Sequence, residues 1–296
     1  MSGDHRGLHR LAIVAAVLTY LLLTLGGVVT SRDAGMVFLD WPLSDGSLNP
    51  DGWLSDADKF SEHGHRILGA LVGLVTVALA WRLRRQESRR YVRVLGYAAV
   101  VGVCLQGLLG GLRVTEISTD LALVHGCTGQ AFFCLMVTLA YLTSRDATTP
   151  AEEGGDTRGL SLCAAAVLFA VFMQVVLGAQ QRHVGGPLHS HLLGAALVAG
   201  SVLWLLPLTL LRHAGRAALR RPVFLLVALL VVQVTLGFLA AGVLHGARTG
   251  ALTAAQVLMP TAHQSVGGVM LATSVYVCLR AIRRIQPVAL AGEVPA

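Results

Sequence analysis

Eight long apolar runs dominate this chain, and each has about the twenty residues that an α-helix needs to cross a bilayer. The runs are predicted at 9–30, 60–83, 94–112, 121–143, 160–180, 188–211, 222–244 and 261–282. Only 13% of the 296 residues are charged, whereas soluble domains carry about 25%. The sequence therefore predicts an all-α integral membrane protein with eight transmembrane helices.

The basic residues indicate how the runs are oriented. Seventeen of the 23 Lys and Arg residues fall at the two termini and in the loops after the second, fourth and sixth runs. Because basic loops stay on the cytoplasmic side, both termini are predicted to be cytoplasmic. The net charge of +7 does not predict nucleic-acid binding, since no basic face with stacking aromatic residues accompanies it. Four outer arginines, Arg66, Arg113, Arg182 and Arg248, either bind acidic groups of a ligand or reach the membrane surface.

An internal repeat divides the chain into two halves. Residues 64–70 resemble residues 190–195, and residues 125–129 resemble residues 263–267. A glutamine followed by leucine and glycine, three and four positions later, occurs three times, at Gln106, Gln174 and Gln233. The repeat predicts two tandem four-helix bundles related by a pseudo-twofold axis along the membrane normal. We assign the bundles to residues 1–143 and 160–284, a cytoplasmic linker to 144–159 and a cytoplasmic tail to 285–296.

Four histidines occupy equivalent positions in the repeat, each near the outer start of an even-numbered run: His65, His125, His191 and His263. The apolar part of the second run, Ile67–Trp81, spans about 22 Å of a core about 30 Å thick, so its histidine turn must enter the membrane. A lone histidine there is usually an interfacial hydrogen-bonding residue. Two pairs instead favour axial ligation of heme iron, because a zinc site needs more ligands than such a pair provides. The predicted pairs are His65 with His125 and His191 with His263.

Glu62 distinguishes the first half from the second. It lies three positions before His65 and on the same helix face, and the second half has no carboxylate in this region. Glu62 is either a helix-terminal charge or a chemically active group, and its presence in only one half favours the active role. His63 and His189 lie two positions before a predicted ligand, so they point to other helix faces and would contact heme propionates or water.

At these positions the sequence resembles the heme A synthase family, across all eight runs. The resemblance is carried by Glu62-x-x-His65-Arg66, His125, His191 and His263, supported by Gly26-Gly27, Asp40-Trp41-Pro42-Leu43 and Gln106-Gly107-x-Leu109-Gly110-Gly111. That family oxidises the C8 methyl group of heme O to a formyl group by successive hydroxylation, which yields heme A for terminal oxidases. The resemblance implies that His191 and His263 bind a heme b, while His65 and His125 flank the iron of substrate heme O. It also implies a catalytic Glu62 and a place in the bacterial plasma membrane.

The first outer loop departs from the family pattern. Many bacterial members have a cysteine pair there, with one cysteine directly after Trp-Pro-Leu, whereas this chain has Ser44 at that position. All five cysteines of the chain fall inside apolar runs, so no disulfide is predicted. The loop at 31–59 is long enough to fold over the first half as a lid.

A different function is compatible with the same histidine pairs: electron transfer between quinone and a partner through two hemes b, without heme modification. The two functions differ at Glu62, which only the synthase requires. A transporter without heme is a third alternative. Heme O and membrane lipid are the expected partners of a synthase. The sequence leaves open whether a heme O synthase, an oxidase assembly factor or a second copy of the chain also binds.

Overall fold

The computed structural model describes residues 3–148, 158–212, 217–245 and 251–282 and contains no strand in these ranges. The helices are α1 (Gly3–Ser31), α2 (Ala57–Gln86), α3 (Arg90–Thr115), α4 (Thr119–Leu142), the single turn α5 (Arg145–Thr148), α6 (Arg158–Val184), α7 (Leu188–Pro207), α8 (Ala217–His245) and α9 (Ala254–Ile282). A π-helical turn, Leu208–Arg212, follows α7. Eight helices of the described ranges are long and apolar enough to cross a membrane, which confirms the predicted spans. The tail at 285–296 and residues 149–157 of the linker lie outside the described residues.

Capping side chains determine where the histidine-bearing helices of the first half begin. Asp56 precedes α2 and accepts hydrogen bonds from the backbone N–H groups of Lys59 and Asp58, at 3.0 and 2.8 Å. These bonds hold the pKa of the Asp56 carboxyl below its ordinary value. Ser118 precedes α4 and accepts a hydrogen bond from the N–H of Leu121 at 3.2 Å. Each helix therefore begins about two turns before its predicted ligand.

The same helix pairs pack together in each half. In the first half α1 and α3 both contact α2 and α4, and in the second half α6 and α8 both contact α7 and α9. Each half has its own hydrophobic core, in which Leu79 and Met136 are fully buried in the first half and Leu205 and Leu226 in the second. This packing agrees with the internal repeat, while the axis relating the halves and the exact domain boundaries stay predictions.

The two halves meet along α1, α4, α6 and α9. Arg182 of α6 donates to the Ser31 hydroxyl at 2.8 Å, and that hydroxyl also lies 3.0 Å from the hydroxyl of Thr261 in α9. Gln264 of α9 donates to the carbonyl of Leu23 in α1 at 3.0 Å. The remaining long helices, α2, α3, α7 and α8, present exposed apolar side chains on their outward faces. Such faces are suited to contact with lipid.

Candidate functional site

The structure brings the four predicted ligands together in two pairs, one in each half. The ring centres of His65 and His125 lie 6.5 Å apart, and those of His191 and His263 lie 6.2 Å apart. A metal–imidazole bond is about 2 Å long, so two imidazoles on opposite sides of one metal have ring centres about 6 Å apart. Both pairs therefore fit the axial ligation of one heme iron each.

Each of these imidazoles lies against a glycine of the neighbouring, preceding long helix. The pairs, with the distance from a β-carbon placed on the glycine to the nearest ring atom, are Gly26–His65 (3.2 Å), Gly110–His125 (3.2 Å), Gly178–His191 (3.2 Å) and Gly237–His263 (3.1 Å). These distances are shorter than ordinary van der Waals contact, so a larger residue would displace the ring. The glycines of the repeated motif therefore allow the close helix approach that positions the ligands.

The other histidine of each doublet points elsewhere. His63 is 5% exposed, and its Nδ1 lies 2.9 Å from the hydroxyl of Ser44 in the outer loop. The His63 ring packs edge-on against Trp53, with ring centres 4.9 Å apart. His189 is exposed at the start of α7. His63 thus contacts the outer loop through Nδ1, and its expected contact with propionates or water stays a prediction.

Glu62 is buried and binds the outer loop. Its side chain accepts hydrogen bonds at Oε2 from the backbone N–H groups of Val37 and Phe38, at 2.8 and 3.1 Å. Its Oε1 accepts from Nη2 of Arg66 at 2.5 Å. Only 6% of the Glu62 side chain is exposed to solvent. The carboxylate therefore joins the start of α2 to the loop that precedes it.

Arg66 binds the same loop from the next helical turn. Its Nη1 donates to the carbonyl oxygens of Asp40 and Leu43, and its Nη2 donates to the carbonyl of Phe38 at 3.1 Å. Within the loop, Asp40 accepts a hydrogen bond from the N–H of Gly46 at 2.8 Å, which holds the pKa of the Asp40 carboxyl below its ordinary value. The prediction that the loop folds over the first half is confirmed. The Arg66 guanidinium binds the loop in place of a ligand carboxylate.

Two further cationic or titratable side chains lie at the first pair. Arg113 of α3 reaches under the loop, where a β-carbon on Gly35 would lie 2.2 Å from its Nη2. Its Nε is buried and has no hydrogen-bond partner among the described residues. His183 of α6 comes from the other half, and its Nε2 lies 3.9 Å from a β-carbon on Gly126, the residue after His125.

The sequence contains a signal for one of these two residues. Arg113 follows Gly110 by three positions, which places it on the helix face that receives His125. Arg182 has the equivalent spacing in the second half, four positions after Gly178. His183 has no comparable local signal, because its position depends on how α6 packs against α4.

Comparison with known proteins identifies the family of this chain. A family described as cytochrome oxidase assembly protein matches residues 54–186. A heme A synthase from Symbiobacterium thermophilum is 31% identical over 268 residues, covering 79% of this chain and 85% of that protein. A heme A synthase from Exiguobacterium sibiricum is 28% identical over 183 residues, which cover 60% of each chain. A protoheme IX farnesyltransferase from Haloarcula marismortui is 31% identical over 154 residues, 51% of this chain and 32% of that protein. The match to the Symbiobacterium thermophilum protein is long and similar enough to establish that this chain belongs to the heme A synthase family.

Proposed function

We propose that this protein converts heme O to heme A by oxidising the C8 methyl group of the porphyrin to a formyl group. The observation that carries the proposal is the His65–His125 pair, which has the spacing of two axial ligands and lies beside Glu62 in a chain of this family. In the proposed reaction the methyl group is hydroxylated twice, each time with the loss of two electrons to an external electron acceptor, and the geminal diol loses water to give the aldehyde.

The first half binds the substrate through its iron and its propionates. His65 and His125 ligate the iron from opposite sides, and Arg113 pairs with a propionate. Arg113 suits this role because its buried Nε has no partner in the described part of the chain, and guanidinium groups bind carboxylates strongly. The apolar tail of heme O extends between helices toward lipid. One porphyrin edge then faces Glu62.

Glu62 acts at that porphyrin edge. A carboxylate has about four acceptor positions, and hydrogen bonds from Val37, Phe38 and Arg66 occupy three of them. The remaining position accepts a proton or orients a water molecule beside the reacting methyl group. The loop that these bonds hold in place keeps bulk water away from the reaction.

The second half binds a resident heme b through His191 and His263. When bound, this heme supplies one-electron transfer to or from the reacting half. The chain itself holds both histidines in place: the Gln174 amide donates to the backbone carbonyl of His191 at 2.9 Å, and Nδ1 of His263 donates to the backbone carbonyl of Gln233 at 3.2 Å. The position equivalent to Glu62 lacks a carboxylate, so this half binds a heme without modifying it.

The protein lies in the bacterial plasma membrane with both termini in the cytoplasm, as the distribution of basic residues favours. A pseudo-twofold axis along the membrane normal puts both histidine pairs at one depth, near the outer surface. Heme O reaches the first half from the enzyme that farnesylates protoheme. The similarity of this chain to part of a protoheme IX farnesyltransferase supports a functional link between the two.

Analysis of extracted hemes tests the proposed function. Membranes that contain this protein and a supply of heme O should accumulate heme A, identified by chromatography and mass, and membranes without the protein should not. Bound heme b in the absence of any heme A would overturn the synthase assignment. That result would favour the alternative function, an electron carrier with two hemes b.

A further inference from the structure

An apolar groove of about 520 Å³ lies on one face of the helical bundle, where the two halves meet. α1 and α8 each pack against α9 and form its walls, while α9 and α4 form its floor. Val17 of α1 and Leu225 of α8 line the groove and are 50% and 47% exposed, so it opens sideways toward lipid. We call this feature the inter-half groove, because α1 and α4 belong to the first half and α8 and α9 to the second.

The inter-half groove lies at the end of the bundle away from the histidine pairs. Its lining residues on α9 run from Val269 to Tyr276, which follow His263 by six and thirteen positions. At 1.5 Å per residue, this stretch lies about 9–20 Å along the helix from the predicted ligand. Among the described residues that line the groove, Arg221 alone is charged. The groove is therefore distinct from both iron-binding positions.

Each wall of the inter-half groove has an arginine at the same depth. Arg221 of α8 precedes Gly237 by sixteen positions, and Arg10 of α1 precedes Gly26 by sixteen. Both glycines lie against a predicted ligand histidine, and the repeat predicts one depth for those histidines, so both arginines lie about 24 Å from that level. Arg10 also precedes Val17 by seven positions, which places it on the groove face of α1. The two arginines therefore mark one end of the groove.

The protein itself does not neutralise these two arginines. Arg10 and Arg221 are exposed, and neither has a hydrogen bond or ion pair within the described part of the chain. Arg280, near the same end of α9, differs because its Nη2 lies 3.0 Å from a carboxylate oxygen of Asp146. The open end of the inter-half groove thus has two positive charges without a counter-charge.

A second groove provides a comparison within the same molecule. It has a volume of about 460 Å³, lies between α4, α6 and α9, and has no charged residue among the described residues that line it. Both grooves offer an apolar surface to a hydrocarbon chain. Only the inter-half groove, of these two, combines that surface with an unpaired cation.

We propose that the inter-half groove binds one anionic phospholipid, with an acyl chain along the groove and its phosphate held by Arg10 and Arg221. The apolar lining suits a hydrocarbon chain, and guanidinium groups bind phosphate oxygens through two parallel hydrogen bonds. Basic pockets between transmembrane helices are suited to acidic lipid headgroups. The lipid contacts a wall from each half and so joins the halves on this face. The proposal is independent of the reaction proposed above.

Native mass spectrometry of the full-length protein tests the proposal by counting the lipids that it retains from phosphatidylglycerol or phosphatidylcholine vesicles. Wild type should retain one phosphatidylglycerol and no phosphatidylcholine. Arg10→Gln combined with Arg221→Gln should lower retention about 25-fold, because each basic residue near an acidic lipid contributes a factor of about five. Arg84→Gln combined with Arg90→Gln is the control, since it removes the same charge at the same end of the bundle, from exposed positions outside the groove.

Filling the groove provides an independent variant that keeps both arginines. Ala272→Phe places a ring on the floor of the inter-half groove and should also lower retention, whereas Ala165→Phe, which places the same ring in the second groove, should not. Equal losses in the two arginine double variants, or in the two phenylalanine variants, would overturn the proposal. Equal retention of both lipids by wild type would overturn it too, as would a retained quinone or heme in place of a phospholipid.

Photocrosslinking of the wild type keeps the proposal testable should a variant fail to fold. Phosphatidylglycerol with a diazirine in the middle of an acyl chain should label the groove residues of α1, α8 and α9. Excess unlabelled phosphatidylglycerol should suppress this labelling, and excess phosphatidylcholine should not. Labelling spread evenly over the outward faces of α2, α3 and α7 would overturn the proposal.

Discussion

The two histidine pairs have similar geometry but different surroundings. Their ring centres are separated by 6.5 Å in the first half and 6.2 Å in the second. The first pair lies below a loop at 32–56 that is held by Glu62 and Arg66, whereas α6 and α7 are joined by residues 185–187 alone. Ligand spacing therefore fits heme ligation equally well in both halves. The loop and the buried charges are what set the proposed substrate site apart from the proposed resident site.

The buried ion pair of the first half supports this distinction. The side chains of Arg66 and Glu62 are only 14% and 6% exposed. Removing two charges from water is costly, and apolar residues of similar size often stabilise a fold as well or better. A loop that served only to cover the helices would not need such a pair. Its presence in one half is consistent with a chemical requirement that the other half lacks.

The largest expected effect is the loss of the resident heme from the second half. In His191→Ala, the iron loses one of two axial ligands, so heme b per protein should fall by more than about tenfold. The pyridine hemochrome assay on purified protein measures this ratio. His189→Ala is the matched control, because that histidine is exposed and two positions away. Normal heme content in His191→Ala with loss in His189→Ala would reassign the ligand.

Glu62→Gln should impair the reaction assigned to the first half and leave the heme of the second half in place. Loss of a general base typically slows a reaction about 10²–10⁴-fold, so heme A formation should nearly stop while the spectrum of the resident heme is unchanged. Asp58→Asn is the control, because this carboxylate pairs with Arg32 and its side chain is 46% exposed. Unimpaired heme A formation in Glu62→Gln would leave Glu62 with a role in holding the loop and none in the chemistry.

Smaller effects are expected from the glycines against the imidazoles. Gly110→Ala should weaken binding of heme O, and Gly237→Ala that of the resident heme, each by about 1–3 kcal/mol from overpacking. Heme titration followed by absorption measures both affinities. Gly107→Ala and Gly242→Ala on the same two helices are controls, since a β-carbon there would have no neighbour within 4 Å. If Gly110→Ala weakened binding of the resident heme, or Gly237→Ala that of heme O, the two sites would not be independent.

Ser44→Ala should have the smallest effect and should act only on the first half. It removes one hydrogen bond to His63, worth about 1 kcal/mol, so the loop should open about fivefold more often. Limited proteolysis of the loop at 32–56, with and without heme O, measures this opening. Ser55→Ala is a control, because its hydroxyl donates to the carbonyl of Gly52 at an exposed turn. Equal cleavage of both variants would show that the Ser44–His63 contact does not hold the loop.

Several features of the site could be predicted because their signals are local. Hydropathy gave the number of spans, since each helix must cross the bilayer on its own. The repeat paired His65 with His125 and His191 with His263, because equivalent positions in the two halves have equivalent neighbours. Helical spacing turned His63 away from the face of His65. The structure brings together the histidines that these signals paired.

Other features depend on contacts between distant segments. The hydrogen bonds of Glu62 to the loop, the approach of His183 from α6 and the buried Nε of Arg113 are invisible in any one stretch of sequence. Each depends on how a side chain is directed once two helices, or a helix and a loop, are packed. A hydrophobic pattern indicates which face is buried but does not indicate the particular group that the face meets.

The glutamine motif illustrates the boundary between the two kinds of information. The sequence by itself determined that Gln106, Gln174 and Gln233 each precede a glycine by four positions, because the spacing of a repeated motif can be read directly from the order of residues. Only the tertiary structure decided that these amides contact the predicted ligand histidines on neighbouring helices and that Leu22 of α1 packs against Gly69 of α2. The physical reason is that a hydrogen bond across a helix interface depends on the distance and rotation of both helices, which no single segment specifies.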